Sequence, residues 1–464
     1  MGRLGALAVI CLAAGAWAAP RPPALAALAD RTRSLPGEFA AGALLRIAGS
    51  PQAKDPAWRR ELIESAFQLA AGAQEPFARR RWTDSPRGMF DKAFEQGLDA
   101  CTLQCRAVEA MLALDRKRAR EMFAEIPPPQ IPRLSCEDGL VWDVSVFYST
   151  LGEIAATADR PSELLERYVP DLTSPVQAGP IARMLAGAPL KPAQLEELVN
   201  SFAGALRELS GDDRSFSATI ATDADAGAVL GLASACAQRQ INSVALLEAW
   251  RTYLTRHLGG TRCADSGSPA TAVRYFNENM RGGALPPITD DEARPAKTEG
   301  KAHAAGACVS PECRQLGETF RQLVLGPTGL ALTAEQRAGA EWGERLKQYL
   351  AALADWKDDD HPAEYFRWKC GLYSQLFDAL PNGPDRDAVL NALLGWLERS
   401  DYQREHRVEW FYPVNLLIIR AFADPVGMKT TARELRNAAD PVISLYAQLE
   451  QALPRPLERT VGLL

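Results

Sequence analysis

Histidine is scarce in this chain. Four occur among 464 residues, and one of them, His303, stands in a stretch without periodic apolar residues. So small a supply leaves few ways to assemble a Cys-His or Ser-His catalytic group. The Gly-x-Ser-x-Gly turn of serine hydrolases is absent, and so is His-Glu-x-x-His. No phosphate-cradling Gly-x-x-x-x-Gly-Lys loop occurs either. A basic excess is also missing. The 52 Lys and Arg face 58 Asp and Glu, for a net charge of −6. That balance argues against nucleic acid as a main partner, because a phosphate-binding surface needs surplus cations. Strict apolar alternation of the kind that marks strands is lacking. After the first residues, no apolar run reaches the roughly 20 residues that span a bilayer, so no transmembrane segment is expected.

The first residues read as an export signal. Arg3 supplies the positive start, Leu4 to Ala14 the apolar run, and Ala16-Trp17-Ala18 the small-x-small cleavage site. The signal peptide is therefore 1–18, and the protein is expected to be exported, periplasmic or secreted. Beyond Cys11 in that segment, eight cysteines remain. An even number in an exported chain suggests disulfides. The pairings expected are Cys236 with Cys263, Cys105 with Cys136, and Cys308 with Cys313. Cys-x-x-Cys knuckles for a structural metal are absent.

What fills the chain is helix. Asp55-Pro56 opens one with Leu62, Ala66 and Leu69 on one face. Ala100 to Leu114 and Arg116 to Ile126 form a pair joined at Asp115. Pro192 opens another, whose buried stripe is Leu195, Leu198, Phe202 and Leu206. Gly139 to Ala156 reads as a single helix. Thr333 to Trp356 is another, opened by a capping box of Thr333 with Gln336. Arg79, Arg80, Arg81 and Trp82 read as a solvated helix end rather than an anion site. His257 reads as a cation against the C-terminal dipole of its helix.

The clearest punctuation lies between residues 354 and 422. Asp358, Asp359 and Asp360 precede Pro362, and Phe366, Cys370, Tyr373 and Phe377 then recur at helical spacing. Pro381-Asn382-Gly383-Pro384 stops that helix, a second carries Leu390, Leu393, Leu394 and Leu397, and a third begins near Pro413.

About seventeen helical segments emerge, several paired in units of roughly 30–45 residues. The chain resembles α-helical repeat solenoids of the tetratricopeptide or HEAT type, without a diagnostic signature of either. The fold class expected is all-α: helical-hairpin repeats over 19–281, a flexible linker over 282–311, and a smaller C-terminal helical domain over 312–464. The linker follows from a shift to Gly, Pro and charged residues.

Two functional readings follow. The first is a non-enzymatic scaffold or interaction protein binding a protein or glycan partner of the cell envelope or exterior. Its contact residues would be Trp410, Tyr412 and Tyr365, since aromatics often anchor interfaces. No cofactor is needed. The second is a metal-dependent hydrolase. His361 with Glu364 and His406 with Glu409 are each three apart, so each pair shares a helix face. Together they make a workable zinc or iron set. Glu64-Ser65 resembles the catalytic Glu-Ser pair of soluble lytic transglycosylases, but their downstream Gly-rich motif is missing. The export reading has a direct check: N-terminal sequencing of the mature protein should begin at Ala19.

Overall fold

The computed structural model describes residues 21–81, 90–266, 270–281, 283, 285–300, 310–325, 332–337, 339–424 and 426–455. The segment read as an export signal, with Cys11, and Trp82, His303 and Cys308, lie outside them. Among the described residues the chain is mostly α-helical, with 22 α-helices and four strands of three residues each.

The first helices are α1 (Pro23–Thr32), α2 (Gly37–Ala48), α3 (Pro56–Ala70), α4 (Ala100–Leu112) and α5 (Arg116–Glu125). Their starts follow from local chemistry. Pro23 and Pro56 sit in the first turn, where a missing N–H does no harm. The Asp55, Asp99 and Asp115 carboxylates accept the free N–H groups of Ala57, Thr102 and Arg118. Then come α6 (Ser145–Ala156), α7 (Pro161–Leu165), α8 (Ala178–Gly187) and α9 (Pro192–Glu208). They are followed by α10 (Asp213–Ala218), α11 (Asp223–Ala226), α12 (Ala228–Gln238), α13 (Val244–Leu258) and α14 (Ala270–Asn279). Helices α3, α4, α6, α8 and α12 stack in that order, each against the next, while α9 packs on α7, α8 and α13.

The C-terminal part holds α15 (Pro311–Val324), α16 (Ala334–Arg337), α17 (Ala340–Asp355), α18 (Pro362–Ala379) and α19 (Pro384–Arg399). The last helices are α20 (Arg407–Ala423), α21 (Lys429–Arg436) and α22 (Pro441–Ala452). Helices α15, α17, α18 and α19 pack as a group, and α19 meets α21. Helix α20 is tied to that group through Glu409 with Arg367 and Arg420 with Asp378, and α20 and α22 also reach beyond it. They return to the start of the chain, where α22 lies on α1 and α2 and α20 packs on the 3-10 turn Phe90–Gln96.

This return closes the molecule. The Phe39 ring meets those of Trp410, Phe411 and Tyr446. The Tyr446 hydroxyl donates to the Phe39 carbonyl at 3.0 Å. The crossing is close at Gly42, where a Cβ would stand 2.9 Å from the Tyr446 hydroxyl. Polar groups fix the register. Glu38, fully buried, pairs with Arg407 at 3.3 Å. Gln74 accepts the Arg407 backbone N–H, one of the orphan donors that open α20. Glu450, also buried, is held by Arg46 at 2.8 Å and Arg455 at 2.7 Å.

Several expectations need correction. Residues 141–143 are not helix but strand β2 (Val141–Asp143), antiparallel to β1 (Ala78–Arg80). The tripeptide Ala78–Arg80 is thus no helix end; its backbone pairs with β2, and Arg79 lies over the Trp142 ring. The stretch 282–311 is not a free linker in its described part. Strand β4 (Lys297–Glu299) runs parallel to β3 (Thr261–Cys263), Ile288 is buried, and Glu292 pairs with Arg251 at 2.8 Å. Buried residues on both sides of that stretch belong to one continuous core. Helix α20 begins at Arg407, with Pro413 inside it, because burial of Trp410, Phe411 and Val414 holds the helix through the proline. The segment expected as one helix over Thr333 to Trp356 is split into α16 and α17, although the Thr333–Gln336 capping box is present.

The disulfides also differ. Cys136 is bonded to Cys263, across 127 residues, so neither Cys236 with Cys263 nor Cys105 with Cys136 forms. Cys105 and Cys236 are free thiols buried inside α4 and α12, whose helical faces turn them into the core. Cys313 is disulfide-bonded, and its expected partner Cys308 lies outside the described residues.

The closure makes a stability prediction. Arg407→Ala leaves the Glu38 carboxylate buried without its cation, which should destabilise the protein by about 3 kcal/mol. Denaturant unfolding measures this, and Glu38→Gln in the same background should recover part of the loss. A change under about 1 kcal/mol would place the pair with ordinary surface ion pairs.

Candidate functional site

A concave site forms where α1 and α3 both lie on α2. Gly37 sets how close they come. A Cβ there would stand 2.4 Å from the Leu69 carbonyl oxygen, so the start of α2 meets the end of α3 backbone to backbone. The two outer helices leave a cleft of about 510 Å³ between them, within the range typical of ligand sites. Its floor is aliphatic, formed by Leu44 of α2, Ala26 and Ala29 of α1, and Leu62 and Leu69 of α3. Ser65 and Gln68, both exposed, line its open side.

The rim is charged and internally paired. Arg21 pairs with Glu61 at 2.9 Å, and Arg33 lies 3.8 Å from Asp30. At the far end Arg118 of α5 donates from Nε to Glu64 at 3.0 Å and also reaches Glu121 and Glu125. The Glu64 hydrogen bond is the main reason the Arg118 guanidinium is held charged even more firmly than usual. Asp115 caps α5 and pairs with Arg60 at 3.3 Å, tying α5 to α3. Glu64, which stood in a catalytic-looking dipeptide, is thus an ion-pair partner.

The residues expected to bind a partner are elsewhere. Trp410 is 1% exposed and its Nε1 donates to the Leu397 carbonyl at 3.1 Å. Tyr412 is 5% exposed. Both belong to the core of the closure and offer no contact surface, which corrects that expectation. Tyr365 is half-buried, its hydroxyl donating to the Trp356 carbonyl.

The four residues expected to ligate metal do not converge. Among the described residues, no group of three or more His, Cys, Asp and Glu side chains lies close enough to hold an ion. Each is committed or turned outward. His361 Nδ1 lies 3.1 Å from Asp358, and Glu364 is exposed. The His406 ring stacks on Tyr402. Glu409 is buried between Arg367 at 2.8 Å and the Tyr402 hydroxyl. The basic cluster is likewise spent. Arg79 pairs with Glu75 at 2.7 Å and stacks on Trp142, and Arg80 reaches Asp225 at 3.3 Å.

Two buried bases escaped the sequence reading. Lys369 is 1% exposed, and its ammonium donates to the Ala354 and Trp356 carbonyls and to the Tyr365 hydroxyl. It thereby closes the C-terminal end of α17, while burial pushes its pKa down to about 8. A lysine inside the stripe of Phe366, Cys370 and Tyr373 was the available signal. His257 is no dipole-facing cation. It stacks on Phe216 at 4.8 Å, and burial pushes its pKa down to about 4. No protein-family model, characterised protein or solved structure matches this chain. No helix among the described residues is long and apolar enough to cross a membrane.

The neutral His257 has a pH signature. In the unfolded chain it binds a proton near pH 6.5, whereas the folded chain refuses it until about pH 4. The unfolded state therefore holds more protons across that window, and stability falls as pH drops from 6.5 to 4. Asp99 acts in the opposite sense, since burial raises its pKa to about 6. The clean comparison is therefore between variants. His257→Phe, which keeps the stack on Phe216, should show a shallower loss of stability from pH 6.5 to 4 than the parent in parallel urea titrations.

Proposed function

We propose that this chain is an exported, non-enzymatic interaction protein built on helical-hairpin repeats of solenoid type, and that it holds a protein or glycan partner in the cleft between α1 and α3. The observation that carries this reading is the cleft itself. It is concave, floored by aliphatic side chains and rimmed by ion pairs that are already satisfied. Such a surface can bury a ligand without leaving a charge stranded. The stacked order of α3, α4, α6, α8 and α12 supports the repeat reading, because each helix finds its apolar partner in the next. The disulfide between Cys136 and Cys263 supports an oxidising compartment outside the cytosol.

The test is a photo-crosslinking side chain placed at Ser65 on the mouth of the cleft, in the producing cell. It should yield a discrete adduct, protein or glycan, that the same group at exposed Asp360 does not yield. Absence of any Ser65-specific adduct would reject the cleft as the contact site.

A further inference from the structure

We infer that Cys101 and Cys105 form a closed site for one soft, closed-shell monovalent cation, Cu(I) or Ag(I), held between their two sulfurs. The inference does not depend on what the cleft between α1 and α3 binds. The two cysteines stand four apart on α4, so they share one face of that helix, a turn apart. Both are free thiols, 4% and 0% exposed. They are hydrogen-bonded to each other, so the two sulfurs already meet. The other free thiols, Cys236 and Cys370, stand singly in α12 and α18. Helix α4 packs on α3, α5 and α6, so an ion on this face sits inside the stack.

The ligand count decides which ion fits. Among the described residues, no third His, Cys, Asp or Glu joins the pair within ligating reach. A structural zinc takes four ligands. A soft closed-shell monovalent ion is satisfied by two thiolates in a line, and thiolate is the ligand type that selects Cu(I). The surrounding charge suits a cation. The carboxylates of Asp99 and Asp143 both act on Cys101. Asp99, 3% exposed, gives Oδ1 to the Thr102 N–H, while its Oδ2 is buried without a partner. A buried carboxylate oxygen left in that state is costly, and a cation beside it lowers the cost. Binding exchanges protons for the ion: Cu(I) and two thiols give the dithiolate complex and two released protons, with no change of oxidation state. Burial sets the role. Both sulfurs are closed off, so no coordination position faces a substrate, and the ion is structural. Such an ion enters as the chain folds.

The experiment titrates the full mature protein with Cu(I) in the absence of oxygen. Ascorbate keeps the copper reduced and leaves the disulfide between Cys136 and Cys263 intact. A parallel sample is unfolded in urea and refolded with Cu(I) present, because the site is closed. Native mass spectrometry should count one ion per chain, and the unfolding midpoint should rise by about 4 °C. Cys101→Ala and Cys105→Ala should each weaken binding by more than about tenfold, the loss that follows even removal of an outer-shell partner. Cys236→Ala with Cys370→Ala should keep the ion, which separates the pair from buried thiols in general. Copper X-ray absorption of the loaded parent should show two sulfur neighbours, and that reading stands even where an alanine variant fails to fold. Four results would overturn the inference. They are no ion bound by either sample, uptake that survives both single substitutions, nitrogen or oxygen neighbours at the copper, or a disulfide joining Cys101 to Cys105 in peptide maps of the purified protein.

Discussion

The pairing of buried Glu38 with the partly exposed Arg407 is the constraint on which the rest of the structure depends. Glu38 opens α2 and Arg407 opens α20, and 369 residues separate them. A carboxylate with no solvent exposure is tolerable only with a cation and donors at hand. Burial pushes the Glu38 pKa up, and Arg407 opposes that shift. Once α20 is pinned there, the rings of Trp410 and Phe411 have one place to go, against Phe39, and α22 follows through Tyr446. The second buried carboxylate, Glu450, repeats the device one layer away with Arg46 and Arg455. Hydrophobic burial supplies the attraction between the ends, and the two ion pairs select one register among many that would bury similar area.

The closure explains why the aromatic segment near Trp410 is silent as a surface. Its rings hold the chain ends together, so they are spent on folding. The cleft between α1 and α3 is the counterpart. Helix α2 is engaged by α22 on one side and carries α1 and α3 on others, and the trough above Leu44 stays open. Its charged rim costs little to maintain, because each carboxylate already has a guanidinium within 4 Å.

Particular elements show where sequence reasoning succeeds. Asp55-Pro56, Asp115, Pro192 and Pro381 to Pro384 mark helix ends to within a residue or two of those observed. Each acts through its own backbone neighbours, so nothing distant is needed to read it. The errors share a different property. The strand at Val141–Asp143 exists because Ala78–Arg80 lies beside it. Pro413 is tolerated inside α20 because α22 and the Phe90–Gln96 turn pack on that helix. His257 is neutral because Phe216 and Tyr253 enclose it. Arg118 meets Glu64 across 54 residues, and no spacing rule links them.

From the amino acids alone came the helical class and the boundaries of most helices, the eight cysteines that follow Cys11, and the lack of any nucleotide or hydrolase motif. These properties are local: a cap, a period of 3.6 or a missing tripeptide is complete within about a dozen residues. The packing of the two ends into one core, the partner of Cys136, the burial of Trp410 and the existence of the cleft were decided by tertiary structure. Each depends on which apolar faces meet, and a helix with apolar residues on more than one side carries no label saying which neighbour covers which face.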